Sequence, residues 1–196
     1  FTKRDWRTRN KILTQSGPAW LTIPVSTKGR AEQPIKDVLI SDSNWGHHHS
    51  EVLRHAYSRA PYFEQVWSSL SEHYKSKNSS LSQVTQDLTV AFARELGIGT
   101  KFFSASDLES DDLDPTTRLL HLVLEVGGTD YVSGPSAKAY LDLNQFETAG
   151  VSVSWFRYRN YPSYQQVWGE TFVPGLSAID ALFSLGPANT AKLITQ

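Results

Sequence analysis

Cysteine and methionine are both missing from this 196-residue chain. Without a thiol there is no disulfide, no thiolate metal site and no cysteine nucleophile. Without methionine, and with Phe1 leading, the sequence does not start at an initiation codon, and an N-terminally incomplete domain is expected. Neither sign of charge dominates: 19 Lys and Arg against 20 Asp and Glu give a net charge of −1, which offers no broad field to a nucleic-acid backbone. No apolar run is long enough to span a bilayer and no signal-type segment opens the chain, so a cytoplasmic protein without a membrane span is expected. Internal repeats, heptads and low-complexity tracts are also lacking. What is present is 39% apolar residues, with six Trp, eight Tyr and nine Phe, enough large side chains for a sizeable core at the length of one domain.

Residues 20–25, β-branched and aromatic after the turn signal Ser16-Gly17-Pro18, predict a strand. Residues 35–41 have no polar face and predict a strand buried on both sides. Three helices are then expected in succession: one from Trp45 to Tyr57 behind several N-cap candidates, one from Pro61 to Tyr74, and one from Leu81 to Glu95 with Gly97 just beyond it. After residues 101–104, which read as a strand, Asp114-Pro115 caps a helix bearing Leu119, Leu120, Val123 and Leu124. Residues 130–133 and 151–158 predict strands, residues 136–141 start a helix between them, and helices near 177–185 and 188–194 close the chain. This order predicts an α/β fold, a three-layer sandwich with a mainly parallel sheet covered by helices. Residues 1–196 read as a single domain, with the helical segment 45–97 inserted between the strand regions.

Several groups are candidates for chemistry. Adjacent histidines on a helix point about 100° apart, so His47-His48-His49 cannot make one ligand face. His47, Glu51 and His55 share a stripe that can offer two imidazoles and a carboxylate to zinc, or can be a solvated polar face. His49 lies four residues from both Trp45 and Leu53, and reads either as a structural histidine or as a proton-transfer group near neutral pH. Residues 132–138 lead from a strand through Ser133-Gly134-Pro135 to a helix start, where free N–H groups and Lys138 can meet an anion or simply make a turn. Lys3, Arg4, Arg7, Arg9 and Lys11 cluster around Trp6, as a solvated segment or a phosphate-binding one. Asp180, on an apolar helix stripe with Leu176 and Phe183, reads as a hydrogen-bonded structural acid or a base. No Gly-x-Ser-x-Gly elbow, His-Glu-x-x-His motif, P-loop or Rossmann fingerprint occurs.

The segments Arg9-Asn10-Lys11-Ile12, Trp20-Leu21-Thr22-Ile23-Pro24-Val25, Ile35-Lys36-Asp37-Val38, Asn44-Trp45 with His49, Ala60-Pro61-Tyr62-Phe63, Tyr131-Val132-Ser133-Gly134-Pro135 with Tyr140-Leu141, and Leu176-Ser177 with Asp180 follow one another in a telling order. Together they cover nearly the whole chain and resemble the WbqC-like family, bacterial proteins named for a member from O-antigen clusters. That family normally opens with a strand and a His-Gln-Pro-type segment, and this sequence starts downstream of them. The resemblance implies a transferase or ligase of bacterial surface-polysaccharide (lipopolysaccharide, O-antigen-type) or related sugar biosynthesis. Such an enzyme modifies an amino sugar or similar amine with an acyl or aminoacyl group through a phosphate-bearing substrate. The resemblance, taken with the residue readings above, gives His49 and Asp180 as candidate catalytic residues, and Arg9, Asn10, Lys36, Ser133, Gly134, Lys138 and Tyr140 as candidate substrate- and phosphate-binding ones. It implies ATP or a nucleotide-activated substrate, and a small-molecule partner such as a nucleotide sugar or activated acyl group. Two rival readings remain open. One is a carbohydrate-binding or scaffold module using Tyr158, Tyr161, Tyr164 and Trp168 with Arg157 and Arg159. The other is a metal-dependent hydrolase using His47, Glu51 and His55.

Overall fold

A computed structural model gives the fold and describes residues 1, 6–30, 33–108, 114–157 and 162–195. The chain divides into two compact units: residues 1–100 with 161–196, and residues 101–160.

The first unit begins with a hairpin. Strand β1 (Arg9–Thr14) pairs antiparallel with β2 (Gly17–Thr22), Arg9 opposite Thr22 and Lys11 opposite Trp20. The turn closes because Gly17 adopts φ 102° and the Thr14 hydroxyl donates to its carbonyl at 2.8 Å. Pro18 has no N–H to donate and is confined to an edge strand. The other side of β1 is satisfied by helices: the Tyr57 hydroxyl accepts the Leu13 N–H at 2.8 Å, and the Lys11 carbonyl accepts that of Ser177.

The helices follow the caps and periodicities of the sequence. They are α1 (Trp45–Tyr57), α2 (Phe63–Leu70), extended by a 3₁₀ turn at Ser71–Lys75, and α3 (Leu81–Glu95), where the Ser80 side chain accepts the Gln83 N–H. In α2 the buried positions Phe63, Val66, Trp67 and Leu70 form one stripe, and each such side chain contributes about 1.5–3 kcal/mol by leaving water. Gly46 lets α1 approach the 71–75 turn: a Cβ there would lie 1.8 Å from the Tyr74 carbonyl oxygen. Ile12, Leu13, Trp45, Leu53, Tyr57, Phe63, Leu81 and Phe183 anchor the core of this unit.

The second unit contains α4 (Pro115–Glu125), whose N-cap Asp114 accepts from the N–H groups of Thr116 and Thr117 with Pro at the first turn. Strand β3 (Asp130–Ser133) pairs in parallel with β4 (Ser152–Trp155), and the crossover that a parallel pair requires carries α5 (Leu143–Thr148). Leu141, Phe146 and Val151 form its small core. The first unit is completed by α6 (Ala178–Leu185) and α7 (Pro187–Thr195).

Among the described residues the fold therefore mixes helices with two small sheets, one antiparallel and one parallel. The expected three-layer sandwich with a mainly parallel sheet is not built among the described residues. Residues 35–41 form a 3₁₀ turn at Ile35–Asp37 and then only isolated bridges at Leu39 and Ile40; Lys36, Asp37 and Leu39 are exposed, so the segment is not buried on both sides. Residues 101–104 form no strand and leave Phe102 and Phe103 exposed. Residues 136–141 make a short 3₁₀ turn rather than a helix start.

Candidate functional site

In the first unit, the base of the hairpin borders an open cavity of about 300 Å³ lined by Thr8, Arg9, Thr22, Ile23, Pro24 and Thr27, among others. Arg9 enters the wall because β1 starts there, directly across from Thr22. Its guanidinium carbon stands 4.1 Å from the centroid of the Trp20 ring, and Lys11 Nζ lies 5.2 Å from the same centroid. Stacking on an indole fixes the plane of a guanidinium while leaving its N–H edge able to bind. Among the described residues no carboxylate lies within ion-pair distance of Arg9. A half-buried, stacked cation at a cavity wall, without a counter-ion among the described residues, is suited to hold a carboxylate or phosphate bidentately.

His49 supports this wall from below. It is 4% exposed, between Trp45 and Tyr74, and its Nε2 stands 2.9 Å from the Thr22 carbonyl oxygen. A carbonyl only accepts, so Nε2 carries the hydrogen and donates. Burial depresses the pKa of the imidazole; the Thr22 bond acts in the opposite direction, and the neighbouring His48 adds a smaller depression. His49 does not line the cavity; its chemistry here is to fix the end of β2 that does.

Asp180 is fully buried. Ser177 caps α6, with its side chain accepting the Ile179 N–H while its own N–H donates to the Lys11 carbonyl, and in the first turn of that helix the Asp180 carboxylate is turned inward. It accepts from the Tyr57 hydroxyl at 2.9 Å, the Tyr164 hydroxyl at 2.8 Å and the Gln166 amide at 3.0 Å. Three donors satisfy a buried carboxylate that has no ion-pair partner among the described residues. Gln166 also exchanges hydrogen bonds with both the N–H and the carbonyl of Val173, and Trp168 Nε1 donates to the Ala56 carbonyl at 2.7 Å. Asp180 is thus the hub that fastens the stretch after residue 161 to α1 and β1, and it does not line the cavity.

The other sequence candidates lie on several elements of the two units. Asn10 is exposed and its side chain accepts the Lys11 N–H; Lys36 is exposed on the 3₁₀ turn. Ser133, Gly134, Lys138 and Tyr140 belong to the second unit, whereas Arg9, His49 and Asp180 belong to the first. Gly134 has φ −69°, ordinary for any residue, and the turn it opens is a five-residue 3₁₀ segment whose Ala137 N–H is taken by the Gly134 carbonyl. Lys138 lies over Trp155 at 5.3 Å, Ser133 is buried, and the side chain of Tyr140 is exposed. His47, Glu51 and His55 are exposed on α1, and no group of three or more His, Asp or Glu among the described residues is placed to hold a metal ion. In the aromatic segment, Tyr164 and Trp168 are engaged inward as described, while Tyr158, Arg159 and Tyr161 lie outside the described residues. Sequence reasoning missed Trp20 as the support of Arg9, and Tyr57 and Gln166 as partners of Asp180. The cross-strand register that puts Trp20 beside Arg9 becomes visible only once the hairpin is recognised.

Compared with known proteins, residues 1–192 match the model of the WbqC-like protein family. The uncharacterized protein Rv1507c of Mycobacterium tuberculosis (strain ATCC 25618 / H37Rv) is similar, at 39% identity over 187 residues that cover 95% of this chain and 80% of that one. No solved structure matches the chain significantly. Among the described residues no helix is long and apolar enough to cross a membrane.

Proposed function

The chain belongs to the WbqC-like protein family, and from that premise we propose that it is a cytoplasmic transferase or ligase of bacterial surface-polysaccharide or related sugar biosynthesis, joining an acyl or aminoacyl group to an amino sugar or similar amine. One observation carries the site assignment: Arg9, stacked on Trp20 at the cavity wall, has no carboxylate partner among the described residues. In this reading Arg9 binds the phosphate of the activated substrate. As the amine nitrogen attacks the acyl carbon and the bond from that carbon to the phosphate oxygen breaks, charge accumulates on the leaving phosphate, where a fixed guanidinium stabilises it. The amine proton passes to solvent or to a substrate group. His49 holds Thr22, and Asp180 holds the frame behind β1. A cavity of about 300 Å³ is at the small end of ligand sites, which fits the phosphate-bearing end of a nucleotide-activated substrate rather than the whole molecule.

Thermal unfolding with inorganic phosphate, a glycosyl 1-phosphate, ATP and a nucleotide-activated amino sugar tests the assignment. At a ligand concentration a hundred times Kd, stabilisation is about 2.7 kcal/mol, which raises Tm by roughly 5–10 °C for a chain of this size. At least one phosphate ligand is expected to do this for the native protein and not for Arg9→Gln. Indifference to all four, or an equal shift in Arg9→Gln, overturns the proposal.

A further inference from the structure

The positive charge of this nearly neutral chain is concentrated at one end. Residues 1–36 contain eight Lys or Arg and two Asp or Glu, so this segment is at +6 while the remaining 160 residues are at −7. Within the same segment stand two exposed indoles: Trp6 is 77% and Trp20 51% accessible. Large aromatic side chains are normally the most effective contributors to burial, and the core of this unit takes in Trp45 and Trp67 while leaving these two outside. Both carry cations on their rings. Arg7 lies over Trp6 at 4.7 Å, and Arg9 and Lys11 lie over Trp20 at 4.1 and 5.2 Å. Lys28 and Arg30 are exposed on the turn that follows Thr27. Five residues of chain separate Trp6 from Lys11, the cross-strand partner of Trp20, a reach of at most about 18 Å.

We propose that this end of the first unit is a docking surface for an anionic membrane, with Trp6 and Trp20 entering the headgroup boundary and the surrounding Arg and Lys side chains meeting lipid phosphates. Charge complementarity selects this occupant. Basic side chains gather at an anionic leaflet, and an indole with an apolar body and one N–H settles at the boundary between headgroups and acyl chains. Single-stranded nucleic acid is the other polyanion to weigh. It binds aromatic side chains through open ring faces, whereas each indole here already has a cation over one face of its ring, which leaves at most the opposite face for a base. The cavity beside Arg9 opens on the same hairpin, so docking would bring it to the bilayer surface. The inference does not depend on the transferase reading.

The test is co-sedimentation of the whole protein with vesicles of phosphatidylglycerol and phosphatidylcholine in equal parts, and with vesicles of phosphatidylcholine alone, following tryptophan emission in parallel. Binding is expected only to the phosphatidylglycerol vesicles, with a blue shift of emission and release at high salt. Trp6→Ser, at a site exposed enough to leave the fold intact, is expected to weaken partition several-fold, and Trp6→Ser with Trp20→Ser to abolish the blue shift. Lys28→Glu with Arg30→Glu is expected to weaken it by about fivefold or more per cation. Failure to bind either vesicle overturns the proposal. So does equal binding to both, or partition unchanged in the tryptophan variants while their melting matches the native protein. Tighter binding to a single-stranded oligonucleotide that quenches the same tryptophans would assign the surface to nucleic acid instead.

Discussion

Replacing Tyr57 by Phe removes one oxygen atom and two hydrogen bonds from the deepest polar site of the first unit. The hydroxyl accepts from the Leu13 N–H and donates to Asp180, and both partners are buried, Leu13 at 2% and Asp180 at 0% exposure. Phenylalanine fills the same volume, so no cavity term enters. Leaving a buried N–H without an acceptor costs about 1–3 kcal/mol, and losing a donor to a buried carboxylate about 1.5–3 kcal/mol. The variant is therefore expected to be about 3–5 kcal/mol less stable, a large part of the total for an ordinary domain. Urea unfolding at neutral pH measures it, with the slope on denaturant unchanged and the midpoint lowered. Tyr164→Phe removes one bond, from a half-buried ring where water can substitute, and is expected to cost about 1 kcal/mol. The Tyr57 variant losing less than about 1 kcal/mol would refute the reasoning, since the network would then be geometry without energy.

Buried tyrosines also make the fold sensitive to alkali. Burial first, then the Asp180 charge, holds the Tyr57 phenol far above the ordinary tyrosine range, and burial alone does so for Tyr74. In the unfolded chain both ionise near pH ~10. Above that pH the unfolded state holds fewer protons than the native state, so stability falls as pH rises, by up to about 1.4 kcal/mol per pH unit for each phenol. Tyr57→Phe should flatten this decline. On the acid side, burial lowers the pKa of His49, so the unfolded chain takes up that proton first, and stability falls as pH drops below the ordinary histidine range. His49→Gln, which keeps a donor for the Thr22 carbonyl, should reduce the loss between about pH 7 and 5 in the same urea assay. Gly46→Ala should prevent close packing of α1 on the 71–75 turn, because the obstacle is a backbone oxygen that no rotamer change can move. Failure to fold, or a Tm lower by many degrees, is expected by circular dichroism.

The elements whose signals are local were legible in the sequence. Asp114 before Pro115 marks a helix start through a side chain that reaches N–H groups two or three residues on, and the structure places that cap there; the helix expected from Leu81 also starts there, capped by Ser80. The burial of His49 was legible as well, because Trp45 and Leu53 flank it at helical spacing. Sheet pairing was legible only in part: the strand–helix–strand order predicts the parallel pair that β3 and β4 form, but not the antiparallel hairpin of β1 and β2. The hairpin carries Arg9, Lys11 and Trp20 on one face and so lacks the apolar alternation that identifies a strand, while residues 35–41 have that hydrophobicity and use it to bury Val38 alone, from a turn and two bridges. In the candidate site, the basic cluster drew attention to Arg9, and what makes Arg9 distinctive is its neighbour on the other strand. Asp180 stood out as an acid on an apolar stripe. Its partners are 123, 16 and 14 residues away, and only the folded chain brings them together.

The side chain of Gln166 has a bearing on how this position can vary. Its oxygen accepts a hydrogen bond from Val173 while its nitrogen donates to Val173 and to Asp180, so the position requires opposite polarities at the two ends of one flat group. Glutamate has the shape but would set a second anion against the first, and leucine would leave three groups unanswered. Related chains that change residue 166 should therefore be found to change 180 with it, for instance to a neutral residue, so that the two substitutions travel as a pair.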